Sequence, residues 1–210
     1  MSVSGSNQGV RFGVATSSNR PATPFDGQVI YETDTDRIAA YDSSAWAYKS
    51  GDSGLVLISS TAIGSAVSSV TVTNAFSATY ENYKIIITGG VGSTTLALRM
   101  TLAPNAVSYD GGAFGTVFST SAFAGVGDNA ASQFRYVGGA GSTWQESHIV
   151  VLSPFLNKRT FIHATGYWTG SASYAYTGVT TTAGSETDFT ISTSAGTITG
   201  GTIRVYGYKD

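Results

Sequence analysis

Apolar and polar residues alternate in short bursts along most of this chain, and glycine, serine or asparagine separates one burst from the next. Val70-Thr71-Val72-Thr73 alternates cleanly, and Leu96, Leu98 and Met100 alternate with Ala97, Arg99 and Thr101. A period of two places every second side chain on one face of a strand. Lys84-Ile85-Ile86-Ile87-Thr88 is instead continuous and β-branched, as a buried strand is. Bursts at 55–59, 147–152, 159–168, 172–177, 188–193 and 202–208 predict further strands, and 113–118 and 133–137 add two less regular ones. In the last strand Ile203, Val205 and Gly207 share one face, while Arg204, Tyr206 and Tyr208 share the other. One of these faces is expected to line the core and the other to meet a neighbouring sheet or subunit. No capped helical window occurs; an apolar stretch at 61–67 is the one hint of helical period. About ten strands between glycine-rich turns predict an all-β fold, an antiparallel β-sandwich of jelly-roll type over residues 54–210.

The first quarter of the chain is patterned differently. Pro21 and Pro24 hold an extended entry. Three short strands follow at 28–33, 37–41 and 46–48, divided by the turn-forming clusters Asp34-Thr35-Asp36 and Asp42-Ser43-Ser44. So small a β-meander, 20–48, is marginal alone, and chains below roughly 40 residues usually need a disulfide, a metal or association. With no cysteine available, association is the expected answer. Residues 1–19 are rich in Ser, Gly and Asn, with Val10, Phe12 and Val14 alternating against Arg11 and Gly13. That face is either held by another chain or is a terminal strand of the protein's own sheet. Residues 49–53 read as a linker by their Ser and Gly content, and nine of the 24 charged residues lie between Arg20 and Asp52.

Charge changes the picture by its scarcity. Charged residues are 11% of the 210, well below the roughly 25% usual for globular domains, whereas Ser and Thr make up about a quarter of the chain. The surface is therefore made polar by hydroxyls. The 41% of hydrophobic residues suffices for a core and excludes a disordered chain. A net charge of -2 with scattered basic residues argues against nucleic acid. No apolar run approaches the roughly 18 residues that cross a bilayer, and the amino end has no signal-peptide pattern, so synthesis in a cytosol without membrane insertion is expected.

The run from Arg20 to Tyr48 also carries a likeness. Its proline-flanked entry, Asp-Gly-Gln-Val-Ile-Tyr, Glu-Thr-Asp-Thr-Asp-Arg and Tyr-Asp-Ser-Ser-Ala-Trp resemble a module of bacteriophage virion proteins, particularly tail fibres, spikes and head fibres. The resemblance covers 29 residues and identifies a construction part, not a chemical activity. It implies a homotrimer attached near its amino end to other virion proteins, with a β-rich domain displayed distally. On that implication Val29, Ile30, Tyr31, Ile38, Tyr41 and Trp46 are the candidate trimer contacts, and Val10, Phe12 and Val14 the candidate virion-docking residues. A second likeness, to phage distal β-sandwich domains, rests on Tyr80-Glu81-Asn82-Tyr83 and on the ending Gly201-Thr202-Ile203-Arg204-Val205-Tyr206-Gly207. The expected function is a virion fibre or spike component, with a head-decoration or head-fibre protein as the near alternative, and host-surface attachment as the role of the distal domain.

Candidate chemistry is thin. Glu186 and Asp188, one residue apart, are the best carboxylate pair for a polysaccharide-cleaving enzyme, but turn or edge solubility explains them as well. Asp34, Asp36 and Asp42 lack the regular spacing and distant Glu of a calcium loop and read as Asx turns. His148 and His163 have no evident third ligand for zinc, Gly-x-Ser-x-Gly is absent, and Gly89-Gly90-Val91-Gly92 lacks the Lys-Ser/Thr of a phosphate cradle. No catalytic residue, metal or cofactor is expected. Trp144, Tyr174 and Tyr176 are the candidate contacts for a host glycan, against the alternative that they fill the core or a trimer interface.

Overall fold

The computed structural model describes residues 12–48, 54–168 and 172–209, and the chain divides into two compact units between Ser53 and Gly54. The expected linker 49–53 and Val10 lie outside the described residues.

The first unit is a four-stranded sheet in the order β1-β2-β3-β4: β1 (Gly13–Ala15), β2 (Val29–Glu32), β3 (Arg37–Tyr41) and β4 (Trp46–Tyr48). The three meander strands are antiparallel, and β1 adds to β2 in parallel, with Val14 opposite Tyr31. Of the two readings of the amino-terminal alternation, residues 13–15 thus form a strand of the protein's own sheet. The aspartate clusters make the turns. Asp36 adopts φ 55°, and Asp42 accepts the backbone N–H groups of Ser44 and Ala45 at 3.2 and 3.0 Å, an Asx turn.

The second unit contains β5 (Gly54–Ala62), β6 (Ser69–Val72), β7 (Asn82–Thr88), β8 (Val91–Gly92), β9 (Leu96–Ala103), β10 (Tyr109–Val117) and β11 (Ala122–Ala131). It continues with β12 (Phe134–Gly141), β13 (Trp144–Leu152), β14 (Phe161–Trp168), β15 (Ala172–Thr180), β16 (Asp188–Thr193), β17 (Ile198–Thr199) and β18 (Thr202–Lys209). Strands pair in the orders β5-β18-β7-β13 and β6-β16-β9-β12, which is the strand order of a jelly roll. The β12–β13 hairpin joins the two sheets. Two inserted hairpins, β10–β11 and β14–β15, extend the first sheet beyond β13 in the order β14-β15-β10-β11, making it eight strands wide.

One hydrophobic cluster fills the space between the sheets. Ile85, Ile87, Ile149, Ile203 and Val205 come from the wide sheet, and Leu98, Met100, Phe189 and Ile191 from the narrow one. Ile203 and Val205 are fully buried while Arg204 and Tyr206 stay on the outer side, which decides between the two faces that the alternation left open. Tyr83 explains the Tyr-x-x-Tyr segment: its hydroxyl donates to the Ser77 carbonyl at 2.7 Å and accepts the Ser77 N–H at 2.8 Å. Tyr80 lies where a side chain on Gly207 would stand, so the two stretches behind the second likeness touch each other.

Two expectations are corrected. Residues 61–67 are not helical; β5 runs to Ala62 and Val67 bridges to Ile198. Residues 122–131 form a ten-residue strand that the sequence pattern does not predict, because Ala and Gly fill most of it and its pairing with β10 supplies the order.

Candidate functional site

In the first unit, strand alternation gives the sheet two unlike faces. On one, Ile30 and Ala39 are buried and the Glu32 side chain is wholly shielded from water. Arg20 Nε donates to Glu32 Oε1 at 2.5 Å, and the hydroxyls of Thr35 and Tyr48 each donate to Oε2 at 3.0 Å. The guanidinium groups of Arg20 and Arg37 lie 5.8 and 5.0 Å from the Tyr48 ring centroid. A buried carboxylate with a complete set of donors is costly to leave half-partnered, so these residues hold one another in place.

Arg20 holds the Glu32 carboxyl below the usual carboxylate range, with help from Thr35 and Tyr48 and against the opposing effect of burial. The ion pair and hydrogen bonds outweigh burial and decide the sign. Ser17 likewise holds the Asp34 carboxyl down through side-chain and backbone hydrogen bonds. Both groups are more acidic folded than unfolded, so their stabilisation is present above the ordinary carboxylate values and is lost as pH falls through the folded ones. Amide protection at Ile30 and Ala39, corrected for intrinsic exchange, is expected to hold from about pH 7 to about pH 5 and to fall below about pH 4. Glu32→Gln should remove most of that slope; a slope unchanged in the variant would show that the network does not set the acid limit.

The opposite face of this sheet is apolar and only partly covered. Val14, Tyr31 and Ile38 stand in one row by register, with Val29 opposite Ala40 beside it. Val14 is 60% exposed and Phe12 38%. The structure therefore brings the docking candidate Val14 onto the same face as the trimer candidates Val29, Tyr31 and Ile38, while Phe12 precedes β1. It separates the other three trimer candidates. Ile30 is buried within its own sheet's inner side, a correction that follows from its sharing a strand face with Glu32. Tyr41 and Trp46 are half-buried on that inner side, with ring centroids 5.6 Å apart.

In the second unit Tyr174 and Tyr176 do not face solvent, which corrects their reading as ligand contacts. Both belong to the core, and burial pushes their hydroxyls up, Tyr176 to about 12. Alternation on β15 sends the tyrosines inward and Ser173, Ala175 and Thr177 outward. Trp144 is half-buried, its indole lying where side chains on Gly139 and Gly141 would stand. It begins a row that the sequence reading did not assemble: Trp144, Tyr167 and Phe118, with successive centroids 6.1 and 5.9 Å apart. Phe114 and Phe123 are also exposed, at 65% and 84%. The signal for them was a phenylalanine between small residues in Ala-Phe-Gly and Ala-Phe-Ala, where no neighbour is large enough to cover the ring.

The polar candidates are structural or dispersed. Glu186 is buried and accepts the Asn105 N–H at 2.9 Å, and burial pushes its carboxyl up. Asp188 accepts the Asn74 N–H at 2.9 Å, so each carboxylate of the pair anchors a different loop. His148 and His163 are exposed on the outer side of the wide sheet, and the Glu146 carboxylate lies 4.0 Å from His148. Among the described residues no group of three or more His, Asp or Glu could hold a metal ion. The surfaces with the chemistry of contact are thus the partly covered face of the small sheet and the outer face of the wide one. Comparison of the chain with protein-family models, with curated proteins and with solved structures finds no match.

Proposed function

We propose that this chain is a structural and interaction component of a bacteriophage virion, a homotrimeric fibre- or spike-like protein. It is attached through its amino-terminal region and displays the jelly roll outward for contact with the host surface. The observation that carries the reading is the make-up of the first unit. Ile30 and Ala39 are the buried apolar side chains among its described residues, while on the other face Val14 is 60% exposed and Val29, Tyr31 and Ile38 are only half-buried. So small a core does not hold a sheet together without a further surface against it. Identical copies packed on that face supply one, and the resemblance of residues 20–48 to virion modules supports the count of three.

Sedimentation of the full chain at micromolar concentration is expected to give about three times the 21.7 kDa chain mass. Val14→Asp together with Ile38→Asp should lower that mass. A wild-type chain that sediments alone with its first sheet folded would overturn the proposal. In purified particles the copy number should be a multiple of three.

A further inference from the structure

The outer face of the eight-stranded sheet has no second layer over it within its own unit. Strand registers carry one row straight across it, through Phe114, Ala175, Thr165, His148, Ile86 and Arg204. The adjacent row holds His163, Val150, Lys84 and Tyr206. Phe161, at the start of β14, and Leu57, on the edge strand β5, are each about half exposed on the same face. A groove of about 290 Å³ opens beside Phe161 and His163, where Gly112 has no side chain to fill it. The charged residues on the face are Asp110, Glu146, Lys84 and Arg204.

The narrow sheet behaves oppositely. Its outer rows are Thr71-Thr190-Thr101 and Ser69-Ser192-Arg99, a hydroxyl surface suited to water. Two sheets of one sandwich, built from the same composition, thus present one hydroxyl-covered exterior and one on which large exposed apolar side chains stand among polar ones. An antiparallel sheet with a solvated face normally alternates apolar inside and polar outside. Large apolar side chains exposed together on one face, as Phe114, Phe161 and Leu57 are, mark an interaction site.

We propose that the outer face of the eight-stranded sheet is where copies of this chain pack against one another. Strands about 4.8 Å apart and about 20 Å long make a face of roughly 750 Å², which copies arranged around an axis share between two neighbours. The charges divide in a self-complementary way. Asp110 and Glu146 lie on the β10–β13 half, with Arg159 within 3.8 Å of Asp110, and Lys84 and Arg204 lie on the β7–β18 half. Copies arranged around an axis set one half of the face against the other half of the next copy. The inference deepens the proposed trimer and rests on it only for the number of copies.

The chain has no cysteine, so single cysteines report burial directly. In the full chain, Thr165→Cys at the centre of the face is expected to react with a maleimide at least about tenfold more slowly than Ser69→Cys on the narrow sheet. Thr177→Cys repeats the measurement on the same face should Thr165→Cys fail to fold. Thr165→Arg is expected to lower the sedimenting mass, and Ser69→Arg to leave it unchanged. Equal labelling rates in a chain that still sediments as a trimer would overturn this interface and leave the trimer standing. Slow labelling with an unchanged mass for Thr165→Arg would mean that the chain covers the face itself, which also overturns it. A wild-type chain that sediments alone would overturn both readings.

Discussion

Phe134→Ala is expected to destabilise the second unit by about 3–5 kcal/mol, the usual cost of deleting a fully buried aromatic ring, and to lower its melting midpoint by on the order of 10 °C. Phe134 is wholly buried at the start of β12, where the narrow sheet meets the inserted hairpins. Its ring packs edge-on against Tyr109 of β10 at 4.5 Å between centroids and against Tyr176 of β15 at 6.4 Å. It also occupies the space beside Gly178, whose added Cβ would stand 2.6 Å from Phe134 Cδ1. Removal of the ring therefore empties the joint between the jelly roll and its extension, and amide protection should fall first in β10 and β15. Phe134→Leu keeps most of the volume and should cost less than about 1.5 kcal/mol. Calorimetry on the two variants checks the prediction; a loss under about 1 kcal/mol for Phe134→Ala would show that the joint is held elsewhere.

Gly201→Ala should be at least as damaging as any single methyl addition in this unit. Gly201 adopts φ +88°, where an L side chain adds about 1–2 kcal/mol of backbone strain, and its Cβ would run into the Gly89 carbonyl. Gly90, at φ +97°, meets the Gly200 carbonyl in the same way. The two glycine pairs let the loop after β7 cross the loop before β18 at backbone contact, where the β8–β17 ladder forms. Strain and displacement together are expected to cost on the order of 3 kcal/mol or more. Gly127→Ala in β11 is the matched control: nothing lies within 4 Å of its Cβ, and a change within about 0.5 kcal/mol is expected. Urea midpoints for Gly201→Ala and Gly127→Ala that agree to within about 1 kcal/mol would show that the crossing can relax.

These two positions also mark how far the sequence could be read. Gly89-Gly90-Val91-Gly92 was legible as a turn because no helix or phosphate-binding Lys follows it, but not as a crossing, since its partner glycines lie over a hundred residues away. The grouping of β18 into two faces was legible because Ile203, Val205 and Gly207 alternate with larger polar-tipped residues, but which of the two lines the core was not. On β15 the same alternation placed Tyr174 and Tyr176 together yet left their direction open, since tyrosine suits a core or a surface equally. Glu32 reads as an ordinary turn-flanking acid; its burial depends on Arg20, Thr35 and Tyr48 arriving from three other segments. β11 escaped notice because its Ala and Gly residues carry almost no strand preference of their own.

The sequence by itself determined an all-β chain, the place of most strands, the turns built on Asp34, Asp36 and Asp42, and the change of character near residue 54. Each of those follows from period-two alternation and turn chemistry, which act over a few neighbouring residues. Only the tertiary structure decided that β18 pairs with β5 and β7, that two hairpins widen one sheet to eight strands, and which side of each strand is covered. Pairing and burial are settled between residues far apart in the chain. A strand with the same local pattern can turn either face inward until its neighbours close over one of them.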